Sequence, residues 1–419
     1  MTLLRRLTLL TGLSLACWGA SSTQAGDWPQ WRGPARDGHP APGSPEITSL
    51  PAELQPAWKL AIGGGFSSPI IVGKKVIYLD AQEGKEVVHA VEADTGQELW
   101  HHELAQAFGD EWGTGSRSTP FADGDLLFVQ SCNGEFRCLS LADGKQRWRM
   151  NFEDFGVKFL GSKSKEGTAS RRGNNGSGVT DEARVFVPVG STQGATVVAF
   201  DKTTGKFLWK SLNDETAYSS FLIATLAGVK QLVAFTADAL VGLDRANGRQ
   251  LWRVPFKTAA KRHAATPVIV GDTVVVNSHS FGLVATRIAK TGGELRAEEA
   301  WANQTLKINL STPVLVGSHL YSMGCNHDFV CVAADSGKLV WSGPGFGKGT
   351  KDNCCTIAVG KNLLVLTEDG QLVLVATDPA KFTELGRLQV CGNTWSHPAL
   401  ADGKLVVRDG RELICLKLR

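Results

Sequence analysis

Apolar runs of strand length, each closed by a tight polar turn, recur from Ser67 to Leu416. The clearest copy of the connecting stretch is Ala93-Asp94-Thr95-Gly96-Gln97-Glu98-Leu99-Trp100. An alternating apolar run leads in, Asp94 opens a turn, Gly96 closes it, and Trp100 lies on the next strand. The glycine supplies positive φ and the aspartate bonds its own turn. The tryptophan brings a large flat surface to bury. The stretch returns at Asp143 to Trp148, Asp201 to Trp209, Asp244 to Trp252, Thr291-Gly292 to Trp301, and Asp335 to Trp341. With Trp58 included, the tryptophans step by 42, 48, 61, 43, 49 and 40 residues. A period of about 40–50 residues with four strands per unit predicts a β-propeller.

Eight unit starts can be read in order. They are Ser67-Ser68-Pro69, Ser118-Thr119-Pro120, Ser177, Ser219, Ala265-Thr266-Pro267, Ser311-Thr312-Pro313, Cys354-Cys355-Thr356 and Ser396-His397-Pro398. Residues 151–174, with Lys158, Lys163, Lys165, Arg171 and Arg172, form a long loop that accounts for the 61-residue step. The seventh unit has lost its tryptophan near Leu385 to Leu388, and the eighth stops before a fourth strand. Trp58-Lys59-Leu60 has no unit of its own and supplies that strand. Sharing one blade between the chain's first and last strands removes the open edges. The expected fold is therefore all-β: an eight-bladed propeller of four-stranded antiparallel blades over 58–419. Residues 26–57, rich in Pro and Gly and without a period, read as an extended arm on the surface.

Composition adds compartment and excludes some partners. Arg5 and Arg6 followed by the apolar Leu7 to Ala16 read as a secretory signal over 1–25. That run is too short to span a bilayer, and no other stretch reads as a transmembrane helix. A minor reading makes Cys17 a lipid-anchor site. The formal charge of +3 falls to near +1 without Arg5 and Arg6, and no basic block offers a nucleic-acid surface. Export allows cysteines to pair. Cys132/Cys138 and Cys325/Cys331 share a spacing that permits a hairpin disulfide. Alternatively Cys138, Cys331 and Cys415 fill the small-residue slot of Ala90 and Ala199, and a two-residue turn at Asn133-Gly134 sets Val129 opposite Cys138.

The pattern Ala-x-Asp-x-x-Thr-Gly-x-x-x-Trp, best matched at Ala199 to Trp209 and, over its Thr-Gly-x-x-x-Trp end, at Ala93 to Trp100, resembles the tryptophan-docking repeat of the pyrroloquinoline quinone (PQQ)-like propellers. That superfamily holds both quinoprotein alcohol dehydrogenases and BamB-like proteins. The resemblance covers 58–416 and implies docking roles for Trp58, Trp100, Trp148, Trp209, Trp252, Trp301 and Trp341. The opening Asp27 to Pro34 and the ending Trp395 to Pro398 also look like secreted PQQ-like repeat proteins common in planctomycetes. Because the motif is architectural, it fixes fold before function.

In such propellers the residues before each inner strand ring one mouth of the channel. Here they are Phe66, Arg117, Asn175, Tyr218, His263, Asn309, Asn353 and Trp395, a mix of aromatic and polar groups suited to a ligand. Cys354-Cys355 resembles the vicinal disulfide that stacks on PQQ in the dehydrogenases. Under that reading Trp395 is a second face, Arg117 a carboxylate partner, and Asp352 or Asp110 a base. The competing reading makes the cysteines small packing residues. No calcium-binding motif can be placed, and no catalytic residue or metal site is assigned. The expectation is an exported, non-enzymatic binding or scaffolding propeller without a cofactor, periplasmic or extracellular, with an unnamed protein or small-molecule partner. The alternative is a periplasmic PQQ- and calcium-dependent alcohol or sugar dehydrogenase.

Overall fold

The chain, seen in a computed structural model, is described over residues 26–157, 173–346 and 353–418. The signal reading over 1–25, Cys17, most of the basic loop and Asp352 lie outside those residues. Eight four-stranded antiparallel sheets follow one another around the ring. The first blade runs Ile70–Val72, Lys75–Gln82, Lys85–Glu92, Glu98–Gln106, and the eighth Ala399–Ala401, Lys404–Arg408, Glu412–Lys417. The fourth strand of blade 8 is Pro56–Ala61, antiparallel to Glu412–Lys417 with Trp58 opposite Cys415. The split blade closes the ring as the sequence predicts.

Packing at the outer strands follows one rule of size. The residue opposite each tryptophan is small: Ala90 faces Trp100, Cys138 faces Trp148, Ala199 faces Trp209, Gly242 faces Trp252, Ala285 faces Trp301 and Cys331 faces Trp341. A bulge follows each pair, where the strand bends into its turn. Cys138, Cys331 and Cys415 are thus space-limited packing residues, and all eight described cysteines are free. Cys132 sits in a four-residue loop, Ser131 to Gly134, so Phe128 rather than Val129 is the partner of Cys138. In blade 7 the sizes are exchanged: Gly386 takes the tryptophan's place opposite Leu374, and Leu50 lies against the glycine.

Most of the tryptophans reach the next blade. Trp58, Trp100, Trp148, Trp209 and Trp301 lie over the turn glycines Gly96, Gly144, Gly205, Gly248 and Gly337, leaving no room for a Cβ. These glycines also have φ near +70°, so any side chain there is both strained and obstructed. Trp58, Trp148, Trp209, Trp301 and Trp341 donate from Nε1 to a carbonyl of the following blade, at 2.9–3.1 Å. Trp58, Trp148, Trp209 and Trp252 are buried, whereas Trp100, Trp301 and Trp341 are half-buried.

Blade 5 departs from the sequence reading. Thr291-Gly292 does open a tight turn, with Thr291 paired to Glu294, but that turn tips a long hairpin, Gly282–Thr291 with Glu294–Asn303, that carries it away from the position it holds in the other blades. No turn glycine is therefore available to Trp252, whose Nε1 bonds Gln231 of its own blade at 2.5 Å. Its ring still packs with Val274, Val276 and Ile288 of blade 5.

Residues 26–50 are not a superficial arm. Trp28 pairs with Ile71 of blade 1, the Pro29 carbonyl accepts from Ala122 of blade 2, and Trp31 Nε1 donates to Thr266 Oγ1 of blade 5. Gly38 accepts from Ala358 of blade 7, and Ile47 accepts from Asn362 of the same blade. Trp28, Arg32 and Arg36 are 1%, 2% and 3% exposed. Both arginines adopt left-handed backbone, φ 61° and 60°, a conformation costing roughly 1–2 kcal/mol per residue. The contacts across the ring hold it, as strain of this kind requires.

Candidate functional site

The inner strands and residues 26–50 enclose a cavity of about 260 Å³ at the ring axis. Its wall includes Phe66, Arg117, Asn175, Tyr218, Asn309, Asn353 and Trp395, seven of the eight ring positions read from sequence. The eighth does not face it. His263 is fully buried, stacked on Phe235 at 4.3 Å, with Nδ1 bonded to the Thr236 carbonyl. Arg262 and Ala264, on either side, take the wall instead.

One side of the cavity is aromatic. Phe66 and Trp395 stack at 5.5 Å, and Trp112 lies 5.6 Å from Trp395. Trp112 is 42% exposed, so this face opens toward solvent. Arg117 lies over Phe66 and is paired with the fully buried Asp110 carboxylate at 2.6 Å. Each group therefore already has a charged partner, which argues against Asp110 as a free base.

Trp31, Arg32 and His397 also line the cavity. Arg32 Nη2 donates to the carbonyls of Asp37 and Pro313, and burial lowers its pKa to about 10, leaving it charged at neutral pH. His397 lies beside Trp28 and Trp31, with Nδ1 bonded to the Pro398 carbonyl. Burial, and then the nearby Arg32 charge, press its pKa down to about 3, so the ring is neutral. Sequence reasoning missed Trp31, Arg32, Trp112, Arg262 and His397. Two tryptophans and two arginines within the Pro/Gly-rich opening were the available signal, since such residues seldom cluster in a solvated tail.

Cys354 and Cys355 also touch the cavity, yet they are successive residues of a regular strand, Cys354–Val359. Cys354 packs into the cluster shared with blade 6 and Cys355 into that shared with blade 8. Burial raises both thiol pKa values, as for inert packing cysteines. Among the described lining residues there is no Asp or Glu, and among all described residues no group of three His, Cys, Asp or Glu forms a metal cluster. A calcium ion with a quinone would need acidic ligands here. The described wall does not fit that pair.

Beside the site, Glu86 is fully buried and accepts from Ser116 Oγ at 2.8 Å. Burial raises its pKa from 4.5 to about 7. The native chain keeps this proton up to about pH 7, whereas the unfolded chain releases it near 4.5. This group therefore contributes a loss of stability as pH rises through that window. Relative to Glu86→Gln, wild type is expected to lose about 3 kcal/mol between pH 4.5 and 8, measured by denaturant unfolding. Parallel pH profiles for the two proteins would show that the carboxyl is not held neutral.

Comparisons with known proteins agree with this fold. A family model described as "Outer membrane protein assembly factor BamB" matches residues 84–306, just over half of the chain. The chain is 26% identical over 362 residues to outer membrane protein assembly factor BamB of Burkholderia pseudomallei, covering 76% of this chain and 87% of the relative. It is 26% identical over 265 residues to the protein of that name from Moranella endobia, covering 59% and 62%. Among solved structures, BamB from Moraxella catarrhalis matches with TM-score 0.56 at 12% identity, over 87% of this chain and 98% of that one. At that identity the likeness is one of fold.

Proposed function

The chain belongs to the outer membrane protein assembly factor BamB family, and from that premise we propose that it is an exported, non-enzymatic binding scaffold that serves outer membrane protein assembly. The observation that carries this reading is the family match together with a relative aligned over 87% of its length. In this reading residues 1–25 direct export, 26–57 complete the domain, and 58–419 form the propeller. A cell-envelope location follows, as does a protein partner among the machinery that handles outer membrane proteins. The channel-mouth residues Phe66, Arg117, Asn175, Tyr218, Asn309, Asn353 and Trp395 are proposed as binding rather than reacting groups. The packing of Cys354 and Cys355 on opposite faces, and the lack of acidic groups on the described wall, support that choice over a quinone enzyme.

Depleting the protein from its own cell is the test. Folded, heat-modifiable outer membrane β-barrel proteins should fall severalfold and recover when the full chain is restored. Unchanged barrel levels, or dye-linked alcohol oxidation by the purified protein with PQQ and Ca²⁺, would overturn the reading.

A further inference from the structure

Residues 26–40 show what the inner edges of the blades accept. In an antiparallel hairpin, the residue just before the closing pair turns its backbone N–H and C=O away from its own sheet. In blade 1 that residue is Ile71, next to the closing pair Val72 and Lys75. Its N–H donates to the Trp28 carbonyl at 3.0 Å, and its carbonyl accepts from Trp28 N–H at 2.8 Å. In blade 2 the same position is Ala122, which donates to the Pro29 carbonyl at 2.9 Å. In blade 7 it is Ala358, which donates to the Gly38 carbonyl at 2.8 Å. In blade 6 it is Leu315, whose carbonyl accepts from His39 Nε2 at 2.8 Å. The chain's own extended segment thus crosses from one inner edge to the next, about one backbone bond per blade.

Blades 4 and 5 leave this position unanswered. Thr225 stands next to the closing pair Leu226 and Val229, and Ile269 next to Val270 and Thr273. Neither has a backbone partner beyond its own hairpin among the described residues. A groove of about 270 Å³ lies over both. Ile223, Pro267 and Leu315 make its wall largely apolar. Thr225 is exposed and Ile223 and Ile269 are half-buried, so the groove opens to solvent. Asp37 borders it with an exposed carboxylate that accepts from the His39 N–H and joins no described ion pair. The neighbouring Arg36 is already committed to carbonyls of blades 3 and 4. Free strand-edge groups are a template for another extended chain.

We propose that this groove binds an extended segment of a partner protein, aliphatic toward the wall and carrying a Lys or Arg for Asp37. The segment crosses blades 4 and 5 as Trp28-Pro29 crosses blades 1 and 2, with its backbone bonded to Thr225 and Ile269. The site stands on the groove's own geometry and is independent of the scaffold reading, so failure of one leaves the other standing.

Isothermal titration calorimetry of the full chain with the acetylated, amidated peptide Thr-Val-Lys-Val-Thr tests it. The peptide should bind below millimolar concentration and slow hydrogen exchange at the Thr225 and Ile269 amides. N-methylating its three central amides should weaken binding at least fivefold, because strand pairing needs its N–H groups. Replacing its lysine with glutamate should weaken binding to wild type as much, and Asp37→Asn should erase that preference. Thr225→Pro removes an N–H that pairs with nothing in its own sheet, and should also weaken binding at least fivefold; if that variant fails to fold, the N-methylated peptide decides. Equal binding of the N-methylated peptide would show an apolar pocket only. A dimer of the protein that Thr225→Pro dissociates would place a second copy in the groove. Either result, or no binding of the peptide at millimolar concentration, would overturn the proposal.

Discussion

A chain lacking residues 26–61 is expected to lose its cooperative fold. The deletion removes Pro56–Ala61, the outer strand of blade 8, and exposes the whole edge of Glu412–Lys417. It also removes Trp58, which is buried over Gly96 and donates to the Ala93 carbonyl of blade 1. Loss of a buried aromatic alone costs about 3–5 kcal/mol, a large part of the roughly 5–15 kcal/mol that holds a typical domain together. An open hydrophobic edge then invites association between copies. Size-exclusion chromatography should show aggregates, and Trp58→Ala should lower the denaturant midpoint by an amount equivalent to about 3–5 kcal/mol. A shortened chain that stays monomeric and melts with the full one would show that ring closure lies elsewhere.

Arg36→Ala is expected to be nearly as damaging, although Arg36 touches no carboxylate in the described chain. Its guanidinium donates to the carbonyls of Ser177 and Gly178 in blade 3 and Phe221 in blade 4, and to Gln30 Oε1. It also lies over the Phe121 ring of blade 2 at 5.6 Å. Hydrogen bonds to a charged group contribute about 1.5–3 kcal/mol each, and truncation removes the arginine donors from these carbonyls, of which Ser177 alone is seen to keep another, the Phe221 N–H. The expected loss is about 3–5 kcal/mol in denaturant unfolding. Because the partners are carbonyls, the effect should persist at high salt. A loss below about 1 kcal/mol would mean that the arginine is a passenger rather than a clamp.

What the sequence made legible was the periodic part. Blade starts, the split eighth blade and the small residue facing each tryptophan all follow from alternation and size, which neighbouring residues express locally. Blade 5 misled because Thr291-Gly292 has the composition of a tight turn, while the longer strands around it place that turn well beyond Trp252. His263 was one position off the wall, because it lies in an irregular stretch before the inner strand Val268–Val270, where side-chain direction follows no fixed period. Residues 26–50 were the least legible. Their conformation is set by contacts with blades across the ring, including left-handed Arg32 and Arg36, and neither period nor propensity records such contacts. The cavity was visible as seven wall positions, but Trp31 and Arg32 on its wall come from that same segment.

Hydrogen–deuterium exchange over residues 26–40 tests the central claim, that the N-terminal segment is part of the propeller and closes its cavity. Trp28 N–H donates to the Ile71 carbonyl at 2.8 Å, and Gly38 N–H donates to the Arg32 carbonyl at 3.0 Å. These amides should exchange only with global unfolding, at the rate of the central strands of blades 1 and 7. Exchange within seconds, while those strands stay protected, would contradict the account and return the segment to the surface.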